Sequence, residues 1–195
     1  LEPQSATVLL AKPAPRWAIL LGKYVGVVLF VAGHAALFVG GTWLALGLKT
    51  GYWFPAYWLA VPLLVLNFGA FYAVSAFVAV WTRSTVASAF GVLLFWGLCW
   101  AVNYTEHQLT LTPPAGFGGA AALLDVAYWV LPKPLDLGGV FYDAMQAEGY
   151  ATKPAELRLI QEAGRFHPVL AVLTTVGFAG VVLALAGYEL EMTDY

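Results

Sequence analysis

Long uncharged apolar runs alternate with short polar breaks along this chain. No charge falls between Lys23 and Lys49, and none between Thr50 and Thr82. Two further apolar runs cover residues 84–104 and 166–188. Crossing about 30 Å of hydrocarbon takes around 20 helical residues, because backbone in lipid must satisfy its own hydrogen bonds. The pattern predicts an all-α integral membrane protein with four transmembrane helices, at about 17–48, 53–82, 84–104 and 166–188. Pro62 inside the second run predicts a kink or a gap in its hydrogen-bond ladder. Arg83 alone separates the second run from the third, which predicts a tight turn at the membrane surface. Pro168 suits the first turn of the last helix.

Aromatic residues mark the ends of these runs, as expected where amphipathic rings settle at headgroup level. Trp17 and Tyr24 flank the first entry; Trp43, Tyr52, Trp53, Tyr57 and Trp58 gather at the first exit; Trp81 stands at the second exit. Cations in short loops mark the cytoplasmic side. Lys12, Arg16, Lys23 and Arg83 fall on one side, against Lys49 in the short loop opposite. This predicts residues 1–16 and the Arg83 turn in the cytosol, with the tail 189–195 returning there despite its acidic residues.

The stretch 105–165 is far longer than an ordinary connection. It predicts an extracytoplasmic segment with short helices. Residues 120–131 are apolar except for Asp125 and stop at Pro132, which suits a helix lying in the interface or dipping into it. Residues 154–163 open on Pro154, place Leu157 and Ile160 on one face and end before Gly164, the signals of a short amphipathic helix. Seven acidic residues against four basic ones make the segment mildly acidic.

Composition narrows the function classes. Hydrophobic residues make up 61% and charged residues 10% of the chain, too few charges to cover a water-soluble fold of this length. A formal net charge of -2 offers no basic surface for nucleic acid. The single cysteine, Cys99, excludes an internal disulfide and reads as a small buried hydrophobe. Phosphate-loop, Gly-x-Ser-x-Gly and His-Glu-x-x-His motifs are all missing, so the chain is not expected to be an enzyme. The chain opens on Leu1, which suggests that an upstream part, with about two more spans, precedes it.

Few polar residues interrupt the spans. His34 lies within the first and Asn67 within the second, and side chains of that kind at that depth are candidates for a substrate path. Asn103, at the end of the third span, is a weaker candidate of the same kind. No second metal ligand stands at helical spacing from His34, and His107 and His167 read as interfacial, so no metal site is predicted. Gly22 with Gly26, and Gly177 with Gly180, form small-residue faces suited to close helix packing.

One motif remains. Thr7, Leu9, Leu10, Ala11, Lys12, Pro13, Arg16, Gly22 and Lys23 follow one another in an order that resembles the cytosolic motif of ABC-2 type permeases, ahead of a span. The motif covers under a fifth of the chain. The three further spans and the long segment before the last one also resemble that family. The resemblance implies a permease subunit in the cytoplasmic membrane that pairs with a second permease subunit, identical or similar, and with ABC ATP-binding subunits. ATP and magnesium would sit on the partner, with no cofactor on this chain. Leu9, Leu10, Lys12, Pro13 and Arg16 would dock that partner: proline stiffens the segment, leucines fill a groove, and cations meet carboxylates or anionic lipid. The alternatives are an ATP-independent secondary transporter or channel, for which His34 is the only ionisable residue within the predicted spans, and a membrane anchor for an extracytoplasmic complex. The substrate is not legible in these residues.

Overall fold

A computed structural model describes residues 15–111, 118–144 and 154–192. They form α1 (Arg16–Thr50), a 3-10 turn (Pro55–Leu59), α2 (Ala60–Thr82), α3 (Thr85–Leu111), α4 (Gly118–Val130), α5 (Pro134–Ala144), α6 (Ala155–Glu162) and α7 (Pro168–Met192). Among the described residues there is no strand. Four helical stretches, Arg16–Thr50, Pro55–Thr82, Thr85–Leu109 and Pro168–Met192, are long and apolar enough to cross a membrane. The chain is an all-α, multi-pass membrane protein.

α2 is the axis of the bundle and packs against α1, α3 and α7. Of its five buried residues, Gly69, Ala70, Phe71, Ala73 and Val74, all but Phe71 are small, which lets neighbouring backbones approach where lipid gives no hydrophobic drive for helix association. Polar side chains add local ties. The Ser88 hydroxyl donates to the Ser75 carbonyl at 2.8 Å, joining α3 to α2, and the Tyr24 hydroxyl donates to the Gly69 carbonyl at 2.8 Å, joining α1 to α2.

Helix ends follow from local chemistry. Gly51, at φ 76°, closes α1 in the left-handed conformation, its N–H donating to the Gly47 carbonyl at 2.8 Å. Beyond it the expected aromatic cluster forms: Trp43 meets Trp53 at 4.8 Å and Trp58 at 6.1 Å between ring centroids. Trp43 Nε1 anchors the cluster by donating to the Phe54 carbonyl at 2.9 Å. Pro62 falls where 3-10 geometry gives way to α-helix. It is the third residue of α2, within the first turn that proline tolerates best.

The turn at Arg83 is as tight as expected. Arg83 takes φ 52° and ψ 24° and donates its N–H to the Ala79 carbonyl at 3.0 Å. The Ser84 hydroxyl then accepts from the Ala87 N–H at 3.2 Å, capping the start of α3. At the same end of the bundle Arg16 Nη1 donates to the Leu190 carbonyl at 3.5 Å, so the start of α1 and the end of α7 share one side with the Arg83 turn.

On the opposite side the third helix runs on to Leu111, seven residues beyond its expected end at residue 104. α4 and α5 meet at an elbow, residues 131–133, with Pro132 and Lys133 both buried. α4 packs on α3 and α7, while α5 wedges between α2, α3 and α7 and touches the 3-10 turn. Tyr57 meets Phe141 edge to face at 5.8 Å. α6 buries Leu157 and Ile160, the face expected from their spacing, and Gly164 ends it at φ 66°.

Candidate functional site

The densest polar chemistry of the described residues lies under the α4–α5 elbow. Cys99, Asn103 and His107 follow at four-residue spacing on one face of α3, and all three are buried. α5 lays its first turn across that face. Asp136, only 2% exposed, receives His107 Nε2 at 2.8 Å on Oδ1 and the Tyr128 hydroxyl at 2.5 Å on Oδ2. Asn103 Nδ2 donates to Oδ1 at 3.3 Å. That amide nitrogen also lies 3.3 Å from His107 Nε2, and since both point donors at one carboxylate oxygen, the separation is proximity and not a bond.

The other end of Asn103 caps α5. Its Oδ1 accepts the N–H of Leu135 at 3.0 Å and of Asp136 at 3.4 Å, two of the first-turn donors that a helix leaves without partners. The carboxylate of Asp136, in the first turn, also gains from the positive end of the helix dipole. Three elements thus converge on one carboxylate: α3, α4 and α5.

Lys133, 1% exposed, is the second buried charge. Its Nζ donates to Thr174 Oγ1 on α7 at 2.9 Å and stands over the rings of Tyr128 at 4.7 Å and Trp129 at 5.2 Å. Thr174 is the seventh residue of α7, so the Lys133 ammonium meets that helix roughly 9 Å past its start. Beside the group lies a cavity of about 40 Å³ lined by Glu106, His107, Asp125, Tyr128, Trp129, Ile160, Arg165 and His167.

Burial alone would raise the Asp136 carboxyl, but the hydrogen bonds from His107, Tyr128 and Asn103 outweigh it and hold the group below its ordinary value. The Tyr128 hydroxyl is pushed up by burial and then by the Asp136 charge, so it stays a proton donor. Burial pulls Lys133 down, with Asp136 partly opposing the shift. The arrangement is a hydrogen-bonded lock of buried polar and ionisable side chains between helices. Among the described residues no group of three or more His, Cys, Asp and Glu side chains could hold a metal ion.

Of the candidates expected from sequence, Asn103 lies at this lock and the others stand apart from it. Leu9, Leu10, Lys12 and Pro13 lie outside the described residues, while Arg16 stands at the start of α1 against Leu190. His34 is on the exposed face of α1, its Nδ1 donating to the Phe30 carbonyl at 2.9 Å. Asn67 Oδ1 is buried with no hydrogen-bond partner. Added Cβ atoms at Gly22, Gly26, Gly177 and Gly180 would meet nothing within 4 Å, so these faces are open among the described residues. Close approaches fall instead at Gly47, Gly69 and Gly139, where an added Cβ would lie 2.6, 3.0 and 2.9 Å from the nearest atom.

His107, interfacial by its place in the sequence, is buried in the lock, while Lys133 and Asp136 carry no expectation as site residues. The signals that could have found them are the spacing of Cys99, Asn103 and His107, and a lysine and an aspartate flanking the start of an apolar helix. No family model, curated protein or solved structure gives a significant match to this chain.

Proposed function

We propose that this chain is a permease subunit of an ABC-2 type transporter, moving a substrate across the cytoplasmic membrane at the expense of ATP hydrolysed by a separate subunit. The observation that carries the reading is the place of Arg16. It is the last cation of the Lys-Pro-x-x-Arg spacing, it opens α1, and it bonds the Leu190 carbonyl near the end of α7. A load on the segment before α1 therefore bears on the first and last spans together. Clustering of Arg16 with the Arg83 turn supports a cytosolic position for that side, where an ATPase would dock.

The test is replacement of Lys12 and Arg16 by Glu in the complete transporter. ATP hydrolysis is expected to continue at its basal rate while substrate transport and its stimulation of turnover are lost. Unchanged coupling would sink the reading, as would failure of any ATP-binding subunit to co-purify with the wild-type chain.

A second reading is an ATP-independent transporter driven by ions. The observation in its favour is that Lys133, Asp136 and His107 are buried at the lock, whereas the sequence points to His34 as the only ionisable group within the spans. Uptake by this chain alone in proteoliposomes under a proton gradient would select it.

A further inference from the structure

We infer that the cavity beside His107 is a seat for a primary ammonium group, and that the group comes from the headgroup of an aminophospholipid in the surrounding bilayer. Neither transport reading uses this cavity. Its lining is buried at His107, Tyr128 and Ile160 and exposed at Asp125, Arg165 and His167, so it opens to the surface. Glu106, half-buried, lies within electrostatic reach of Asp125, Arg165 and His107. Among the described residues none of Glu106, Asp125 and Arg165 is held in an ion pair. Two carboxylates and one guanidinium thus border one small volume, and with neutral histidines they leave one negative charge over. Asp136 and Lys133, in the adjoining lock, offset each other. A single positive charge would complete the balance.

The acceptors select the kind of cation. His107 commits Nε2 to Asp136, which leaves Nδ1 of the neutral ring as an acceptor. Asp125 takes the Trp129 indole N–H at 3.2 Å on Oδ1 and keeps Oδ2. With the Glu106 carboxylate this makes three acceptors, matching the three N–H donors of a primary ammonium; a quaternary ammonium has none to give. Among the described residues no group of His, Cys, Asp and Glu side chains could hold a metal ion instead. The cavity, at about 40 Å³, has room for an ammonium and its first carbon but not for a whole headgroup.

What lies around the mouth suits the rest of a lipid. Arg165 and His167 stand just before Pro168, where the last span begins, and Trp129 stacks on His167 at 6.1 Å, as aromatic rings do at headgroup level. Arg165 is placed there to meet a phosphodiester. On α4, Leu123, Val126 and Val130 are 75%, 61% and 58% exposed beside Asp125 and Trp129, an apolar surface for acyl chains. Ammonium, phosphate and chains each find a complementary surface.

The experiment offers the full chain, in detergent, an equimolar mixture of phosphatidylethanolamine and phosphatidylcholine with identical acyl chains, and counts the lipid retained by native mass spectrometry. The wild type is expected to retain phosphatidylethanolamine over phosphatidylcholine by about tenfold. Glu106→Gln combined with Asp125→Asn should bring the two lipids to parity, whereas Glu156→Gln, on the exposed face of α6, should leave the preference intact. A merely structural role for the two carboxylates would lower the unfolding midpoint without changing this ratio. Equal retention by the wild type, or a preference that survives the double variant, overturns the lipid site. If the double variant does not fold, Asp125→Asn, at an exposed position, decides alone. A second arm adds methylammonium chloride against equal potassium chloride. Methylammonium that displaces phosphatidylethanolamine supports the shared seat. Methylammonium that raises the unfolding midpoint of a wild type without lipid preference would keep the ammonium seat and overturn its lipid source.

Discussion

Asn103 holds Asp136 from both ends: its Oδ1 accepts the aspartate's backbone N–H at 3.4 Å while its Nδ2 donates to the carboxylate at 3.3 Å. One side chain of α3 therefore caps α5 and gives a hydrogen bond to the charge that α5 brings. The relation joins positions 33 residues apart and fixes both the rotation of α5 and its depth.

Truncation of that side chain should be costly. Asn103→Ala removes a helix cap and leaves the buried carboxylate short of a donor, for a combined loss of about 2–4 kcal/mol. Asn103→Asp keeps an acceptor but sets a second carboxylate against Asp136, and is expected to be worse. Thermal unfolding in detergent checks the order; an Asn103→Asp variant as stable as wild type would contradict the arrangement.

Acid should release the same lock. Because the folded state holds Asp136 below its ordinary value, its contribution is complete above about pH 4 and falls away as pH drops through the folded value. Lys133 has the opposite character, costing stability at neutral pH and relieving that cost as pH rises toward its unperturbed value. Unfolding midpoints of wild type and Asp136→Asn, compared across pH 3 to 7, isolate the first effect: the difference between the two should shrink on the acid side.

Gly47 should not tolerate a side chain. A Cβ there would stand 2.6 Å from the Trp53 ring, so Gly47→Ala must push that ring off Trp43. A loss of about 1 kcal/mol and a change in tryptophan emission are expected. In the Trp53→Ala background the same substitution should cost little, and a double-mutant cycle measures the coupling.

The Arg83 turn stores backbone strain. At φ 52° a side chain is unfavourable and glycine is not, so Arg83→Gly should exceed Arg83→Ala in stability by about 1 kcal/mol. Comparing the two variants with each other removes the contribution of the guanidinium, and equal unfolding midpoints would argue against the left-handed turn.

Much of the architecture is local and was legible. The four apolar runs, the turn at Arg83, the stops at Pro132 and Gly164 and the buried face Leu157 and Ile160 all follow from hydrophobic length, period and punctuation along neighbouring residues. Pro62 shows what local reading leaves open: a proline within an apolar run is a mid-span or a first-turn residue depending on where the α-helix starts, and the 3-10 turn ahead of that start packs against α1. The lock was not legible for a related reason. Asn103, His107, Lys133 and Asp136 each look like a polar residue at the margin of an apolar stretch. Only the insertion of α5 between α2, α3 and α7 removes them from water and makes their partners obligatory. The sequence by itself determined which segments must lie in lipid, because that choice depends on each segment's own side chains; the tertiary structure decided which buried charges meet, because such a pairing is a property of two distant segments at once.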